Sequence, residues 1–374
     1  MSSKQAYHHL LIYLISYLSN YNLAHDFLWG AFMQDNLQTR CTLLLQELAL
    51  LAEGASCNAT PLSGGVASDI AKVSVTYENQ ITDYCVKFAL AKLRVKADWF
   101  APVERNLAEY KWLKIVSDIA PQSSVKLYGH SPIANGFVMS FLDGDDCILL
   151  KQALFDGQGT DFQAEAIGKL LGTIHHHSTQ ADFDASGFDN RDDFYALRIE
   201  PYLIFTAQKH PQLAAQINEM AEKLYHTKTA LVHGDVSPKN IMFKAGQPII
   251  LDAECATMGD PCFDVAFCLN HFILKALYIP SCKDKYLGLC TAFWQAYREA
   301  ISWEEAVSFE ARLTQLLPLL MLARIDGKSP VEYFNTASQD EVRRITLSGL
   351  AQQAASLTEL VALIDHYSET ENKV

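Results

Sequence analysis

The chain has 374 residues, of which 49% are hydrophobic and 20% are charged, as is typical of a soluble globular protein large enough for two or three packed units. Its formal net charge of −13 argues against a nucleic-acid partner, because such binding depends on an excess of Lys and Arg facing phosphates. The nine cysteines form no C-x-x-C pair, and their odd number and apolar neighbours indicate reduced thiols in the cytoplasm.

The first segment, residues 1–54, is predicted to be helical. Its most apolar run, LLIYLISYL, is too short to cross a bilayer, which needs about 20 apolar residues. The run also lacks the basic start and the cleavage site of a signal peptide. Since its leucines recur on one helical face, we expect an amphipathic helix packed on the protein body, with no membrane partner. This segment serves either as a helical brace or as part of a homodimer.

Strands and helices then follow in a clear order. The stretches AKVSVTY and YCVKFA alternate like strands and are joined by a turn at ENQ. A helix is predicted after Pro102, then two further strands at VKLYGH and NGFVMSFL, and helices thereafter. The sequence therefore predicts an α+β chain with a helical extension over 1–56, a small β-rich N-terminal lobe over 57–142 and a larger helical C-terminal lobe over 143–374.

The segment LVHGDVSPKNIMF concentrates polar residues between apolar ones. Asn240 follows Asp235 by five residues, and Asp252 lies twelve residues beyond Asn240. Between these two lies a predicted hairpin, IMF–KAGQ–PIIL, whose ends meet and so bring Asn240 and Asp252 together. An amide oxygen and a carboxylate are hard donors that suit Mg²⁺. Asp235 is then placed to orient a hydroxyl group and to accept its proton.

This layout is that of a phosphoryl-transfer site of the kinase type. A lone Asp235 would more simply be a turn or cap residue, but the complete set is too specific for that interpretation. A kinase also needs a lysine on a strand of the small lobe, and Lys87 in YCVK fits. Glu109, 22 residues later on the helix after Pro102, is placed to hold it. The alternative is a solvated Lys87, with Glu109 paired to Arg105 one turn away.

Two further stretches are candidates for nucleotide binding. In PLSGGVASD, Gly64 and Gly65 would let backbone N–H groups approach phosphate, with Ser68 beside them; an ordinary turn is the alternative. The stretch GFVMSFLDG would form the hinge beside adenine, with Met139 and Phe141 in contact with the nucleotide.

These residues resemble the aminoglycoside phosphotransferase and choline kinase superfamily, which has a protein-kinase-like fold, over roughly residues 60 to 330. The family pattern is H-G-D-x-x-x-x-N followed by D-x-E-x-A-x-x-G-D-P-x-x-D, and the chain reads HGDVSPKN and DAECATMGDPCFD. The resemblance implies the following roles: catalytic base, Asp235; Mg²⁺ ligands, Asn240 and Asp252; support of the catalytic loop, His233 and Asp264.

Within that superfamily the run VKFALAKLRVKADWFAPVERNLAEYKWL resembles 5-methylthioribose kinases. Those enzymes tend to have Ser at the position of Asn240 and Pro at that of Ala253, so the catalytic loop is closer to the wider family. The matching residues of the run are Lys87, Arg94, Trp99, Arg105 and Glu109.

The acceptor is expected to be a small molecule. Only twelve residues separate Asp252 from Asp264, which leaves no room for a long activation loop and a peptide platform. Glu254 is one candidate substrate residue. Arg324, in MLARIDGKSPVEYF, is another, although basic residues at a helix C-terminus also simply face the helix dipole.

The sequence therefore predicts a cytoplasmic, ATP- and Mg²⁺-dependent kinase of a small molecule with a hydroxyl group. A polyol or methylthioribose-like acceptor is preferred over an amino alcohol or aminoglycoside. The competing hypothesis is a non-catalytic nucleotide or metabolite sensor with the same fold.

Overall fold

The structure, a computed structural model, describes residues 36–62, 67–94 and 102–369. The predicted phosphate-loop glycines Gly64 and Gly65, the matched residue Trp99, and most of the predicted N-terminal helical extension lie outside these residues. The chain divides into two compact units. The first comprises the described residues up to Val103 together with Tyr128–Phe141, and the second comprises Glu104–Leu127 and the chain from Leu142 onwards.

The first unit is built on one five-stranded sheet in the order β1-β2-β3-β5-β4. The strands are β1 (Ser56–Pro61), β2 (Ser68–Tyr77), β3 (Gln80–Ala89), β4 (Leu127–Ser131) and β5 (Gly136–Ser140). The predicted turn at ENQ is confirmed: Glu78 and Asn79 both have positive φ, 47° and 66°, as a tight two-residue hairpin requires.

One helix, α1 (Leu37–Glu47), packs on this sheet. It begins at Asn36, whose side chain accepts the N–H of Thr39 at 3.0 Å and so caps an otherwise unpaired donor. Leu44 and Leu45 are fully buried against the strands. Part of the predicted N-terminal helical segment therefore belongs to the core of the β-rich unit.

The second unit is mainly helical, so the predicted α+β class is confirmed. Its helices are α2 (Arg105–Ile119), α3 (Leu150–Phe155), α4 (Asp161–Ser178), α5 (Arg191–Phe194), α6 (Phe205–Lys209), α7 (Ala214–His226), α8 (Cys262–Tyr278), α9 (Lys283–Arg298), α10 (Ala306–Asp326), α11 (Thr336–Gln352) and α12 (Leu357–Glu369). A π-helical segment, Tyr195–Ile204, joins α5 to α6. The short strands are β6 (Cys147–Leu149), β7 (Ala230–Val232), β8 (Ile241–Lys244), β9 (Gln247–Ile250) and β10 (Thr257–Gly259).

Helix α8 forms the centre of this unit, because every side chain from Cys262 to Ala276 is buried. Helix α10 packs against it. Of the helices in the described residues, α10 alone is long and apolar enough to cross a membrane, yet 61% of its most apolar window is buried inside the protein. Its composition is thus also that of a core helix.

The predicted hairpin after the polar motif is present as β8 and β9, with Ala245 and Gly246 at its turn. Two details differ from the prediction. The helix predicted after Pro102 begins only at Arg105, three residues later. The three-residue strands β6, β7 and β10 were not predicted, because so few residues show no periodicity.

Candidate active site

The segment LVHGDVSPKNIMF forms a loop between β7 and β8. Asp264 holds this loop through hydrogen bonds to its backbone. This carboxylate is fully buried in the first turn of α8. It accepts the backbone N–H groups of His233 at 2.6 Å and Gly234 at 2.8 Å. His175 of α4 also lies 3.3 Å from it. Two neighbouring backbone donors are therefore fixed by one side chain, which determines where the loop lies.

His233 is held as a neutral ring. Its Nδ1 accepts the backbone N–H of Asp235 at 3.1 Å, so the ring proton is on Nε2, which donates to the carbonyl of Leu251 at 3.0 Å. Burial lowers the pKa of His233, against the opposing charges of nearby carboxylates. Trp112 packs edge-on against the ring, 4.8 Å between centroids. The histidine thus ties the Asp235 loop to the end of the β8–β9 hairpin.

Asp235 is 5% exposed and lies between two cations. Arg198 Nη2 and Lys239 Nζ each lie 3.1 Å from its Oδ2. Burial alone would raise the pKa of this carboxyl, but Lys239 and Arg198 outweigh it, and the pKa is lowered. The group is therefore ionised at neutral pH, as a residue that accepts a proton from a hydroxyl group must be.

Sequence reasoning missed Arg198. It projects from the π-helical segment and also donates through Nε to the carbonyl of Gly234. Helices of this kind are rare and occur often at functional sites. Pro201 lies within the segment, where it cannot donate the hydrogen bond of a regular helix. The stretch RIEPYLIF contains no motif from which this contact could be predicted. Lys239, in contrast, lies in HGDVSPKN, four residues after Asp235.

The predicted metal ligands lie at the two ends of the hairpin. The N–H of Leu251 donates to the carbonyl of Asn240 at 2.8 Å, which joins these ends. The Asn240 side chain donates to the backbone carbonyl of Asp235 at 3.0 Å, so its oxygen remains available as a ligand. Asp252 is held at a φ of 69°, an unusual backbone conformation for a residue other than glycine.

Glu109, Asp252 and Glu254 form a carboxylate cluster, with one oxygen from each within 4.8 Å of the others. Arg105 Nε donates to Glu254 at 2.8 Å and offsets part of this charge. Clustered negative oxygens suit a divalent cation such as Mg²⁺. The structure thus places Glu254, a predicted substrate residue, beside the candidate metal ligands.

The nucleotide-binding candidates of the first unit lie on its sheet. Lys87 on β3 is 2% exposed and therefore is not a solvated strand lysine. Ser68 on β2 and Met139 on β5 are also buried, and Phe141 is half-buried. The pairing of Lys87 with Glu109 stays a prediction.

Of the charged residues at the end of α10, two are engaged away from the loop. Asp326 pairs with His210 at 2.8 Å and with Arg343 at 2.8 Å, and Lys328 pairs with Glu200 at 2.6 Å. Arg324 instead donates to the hydroxyl of Tyr202 at 3.2 Å, on the same π-helical segment that carries Arg198.

Gly234 offers a direct test of the loop conformation. Its φ is 79°, and a Cβ there would lie 2.8 Å from the Cβ of Cys255. We expect Gly234→Ala to reduce the free energy of unfolding by about 3 kcal/mol or more, the sum of backbone strain and overpacking. Urea titration would measure it.

Gly246 provides the matched control, because its φ is 76° but an added Cβ would touch only Phe162 at 3.7 Å. Gly246→Ala should cost only the backbone term, about 1–2 kcal/mol. Equal losses in the two variants would show that the loop has room for a methyl group.

Known proteins are similar to this chain in sequence and in fold. The phosphotransferase enzyme family, APH, matches residues 58–299. The methylthioribose kinase of Bacillus thuringiensis (strain Al Hakam) is 23% identical over 221 residues, 51% of this chain and 55% of that protein. That of Erwinia tasmaniensis is 24% identical over 252 residues, 57% of this chain and 62% of that protein. The chain therefore spans little more than half the length of these relatives.

A solved structure of the amicoumacin kinase hAmiN, in complex with AMP-PNP, Ca²⁺ and Ami, is also similar. The TM-score is 0.52 at 16% sequence identity, over 84% of this chain and 94% of that chain. This likeness shows the kinase-like fold. Since the family match covers well over half of the sequence, the resemblance inferred from the motifs is confirmed, and the chain belongs to the phosphotransferase enzyme family.

Proposed function

We propose that this protein is a kinase that transfers the γ-phosphate of ATP, with Mg²⁺, to a hydroxyl group of a small molecule in the cytoplasm. The observation that carries the proposal is the ionised Asp235 on a loop braced by Asp264, with Asn240 beside it and Asp252 at the other end of the hairpin. A polyol or other sugar-like acceptor is preferred, in keeping with the relatives named methylthioribose kinases.

In the proposed reaction, Asp235 accepts a hydrogen bond from the acceptor hydroxyl and orients its oxygen towards the γ-phosphorus. The new P–O bond forms as the bond to the bridging oxygen of ADP breaks, and the hydroxyl proton passes to Asp235. Arg198 and Lys239 keep the carboxylate in place and ionised until then. Lys87 would hold the inner phosphates.

The residues present fit a divalent cation. Asp252 and Asn240 offer hard oxygen ligands, and the neighbouring carboxylates of Glu109 and Glu254 supply the negative charge that such a cation balances. When bound, Mg²⁺ would offset the charge of the phosphates during transfer.

Phosphate transfer from [γ-³²P]ATP tests the proposal directly. The purified chain would be given methylthioribose, simple sugars, amino alcohols and aminoglycosides, each with Mg²⁺ and with EDTA. A labelled product that forms only with Mg²⁺ is the expected result. A chain that binds ATP but labels nothing in this panel or in a whole metabolite extract would instead be a nucleotide sensor.

Asp252→Asn tests the metal site. We expect the Mg²⁺ concentration for half-maximal rate to rise at least about tenfold, because one charged ligand becomes neutral. A Mg²⁺ titration of the initial rate measures this. Asp118→Asn is the matched control, since Asp118 is an exposed carboxylate on α2 that pairs with Lys114 at 3.6 Å. If both variants titrate like the wild type, Asp252 is not a metal ligand.

A further inference from the structure

Lys275 and Arg324 are two of the cations of the second unit that have no carboxylate within 4.0 Å among the described residues. Lys275 is 3% exposed, and its Nζ lies over the rings of Tyr333, at 3.5 Å, and Phe155, at 4.1 Å. Arg324 contacts Tyr202 and Ser329 only through neutral oxygens. Burying an ammonium group in this way is costly, and the cost is relieved either by loss of its proton or by a bound anion.

Glu332 is the carboxylate whose charge acts most on Lys275, but it forms its ion pair with Lys151, at 2.7 Å. It therefore stabilises the ammonium group only from a distance.

A continuous row of side chains connects these cations to the base. Arg198, which pairs with Asp235, and Tyr202 lie four residues apart on the π-helical segment. The Tyr202 hydroxyl accepts from Arg324, and its ring packs against Phe267 of α8 at 5.5 Å.

Helix α8 continues the row. Phe267, His271 and Lys275 recur at four-residue spacing and therefore share one face, which spans roughly 12 Å along the helix axis. The rings of Phe267 and His271 are 5.5 Å apart. A row of mostly buried, neighbouring side chains thus runs from the base to Lys275.

Two groups of this row have lowered pKa values. The pKa of His271 lies well below its ordinary value because the ring is buried and because Arg324, Lys275 and Lys239 are close to it. Burial also lowers the pKa of Lys275 to about 7, and a bound anion would raise it again by favouring the ammonium form. Burial is the main cause of both shifts; nearby cations add to both, and for Lys275 the charge of Glu332 opposes the shift.

We propose that the acceptor is an anion, with its reactive hydroxyl group at Asp235 and a carboxylate or phosphate group bound by Lys275 and Arg324. This inference rests on the proposed function and narrows its substrate class. It disfavours neutral methylthioribose as well as a cationic amino alcohol or aminoglycoside, although the net charge of −13 alone would attract a cation.

A charge-fractionated extract tests this while the acceptor is still unidentified. Deproteinised cell metabolites would be separated by ion exchange into anionic, neutral and cationic pools, and each pool incubated with the full chain and Mg²⁺-[γ-³²P]ATP. We expect a labelled product from the anionic pool. A product from the neutral or cationic pool overturns this inference while the kinase stands. If no pool is labelled, the proposed function itself fails, and the inference fails with it.

The acceptor so identified, purified, is the probe for the subsite. Lys275→Met fits between aromatic rings and should raise the KM for the acceptor by about 10- to 100-fold, with kcat and the KM for ATP within about threefold. Arg324→Gln should move the same KM in the same direction. Lys209→Met is the matched control, because Lys209 also lies over a ring, that of Phe205 at 4.8 Å, but is exposed. An unchanged KM for the acceptor in both Lys275→Met and Arg324→Gln overturns the subsite.

Discussion

Asp235→Asn should reduce kcat for phosphate transfer by about 10²–10⁴-fold, the usual contribution of a positioned general base. The amide has nearly the same shape but cannot take the proton of the acceptor hydroxyl. Binding of Mg²⁺-ATP should change little, because Asp235 faces Arg198 and Lys239. Single-turnover rates and nucleotide titrations of wild type and variant would measure the two effects separately.

The pH dependence of the wild type gives an independent check. Since the pKa of Asp235 is lowered in the folded protein, its charge is lost only as pH falls through a value below the ordinary 3.8. Deprotonation of this residue should therefore not limit the rate between about pH 5.5 and 8. An acid limb of kcat in that range, absent from Asp235→Asn, would contradict the ionised state assigned to the carboxylate.

A second outcome would contradict the assignment of the base itself. Lys239→Met removes one partner of Asp235 but leaves the carboxylate, and Arg198 still holds it at 3.1 Å. Its kcat should stay well above that of Asp235→Asn. If the two variants are equally impaired, the ion pair and not proton transfer explains the loss.

The parts of the site that the sequence predicted are local. Asp235, Asn240 and Asp252 lie within one loop and one hairpin, so their separation along the chain fixes their separation in space. The strand pair around ENQ was predictable for the same reason, since a two-residue turn leaves one register.

The parts that the sequence did not predict depend on distant elements. Arg198 donates to Gly234, 36 residues away, from a π-helical segment whose sequence carries no distinctive spacing. Arg105 pairs with Glu254 across 149 residues, whereas the sequence offered it a partner, Glu109, only in the alternative to a Lys87–Glu109 pair. Helical periodicity identifies neighbours within α2 but not the carboxylates that the tertiary fold brings to it.

The surroundings of Lys275 also could not be predicted from the sequence. In the sequence it is one lysine in an apolar helical run, which usually places its charge in solvent. The structure buries it, because α8 is surrounded by other elements, and puts Tyr333 and Phe155 over its ammonium group. Only the packing of the second unit reveals that this cation has no carboxylate partner among the described residues.

Asp264→Asn should lower the free energy of unfolding by about 3 kcal/mol and reduce activity with it. An amide has one acceptor oxygen, so it cannot serve both backbone N–H groups that the carboxylate now accepts, and its own N–H₂ would face one of them. Urea titration, monitored by tryptophan fluorescence, suits the measurement. Trp112 of α2 packs on His233, whose backbone N–H is one of the two groups that Asp264 accepts.

Asp161→Asn separates this brace from a simple effect of helix charge. Asp161 lies in the first turn of α4, as Asp264 does in α8, but it is exposed. Its interaction with the helix dipole contributes at most about 1 kcal/mol. If Asp264→Asn cost no more than Asp161→Asn, the carboxylate would act only on its own helix. A loss several times larger would mean that the contacts of the buried carboxylate with His175 and with the N–H groups of His233 and Gly234 add stability that helix charge cannot explain.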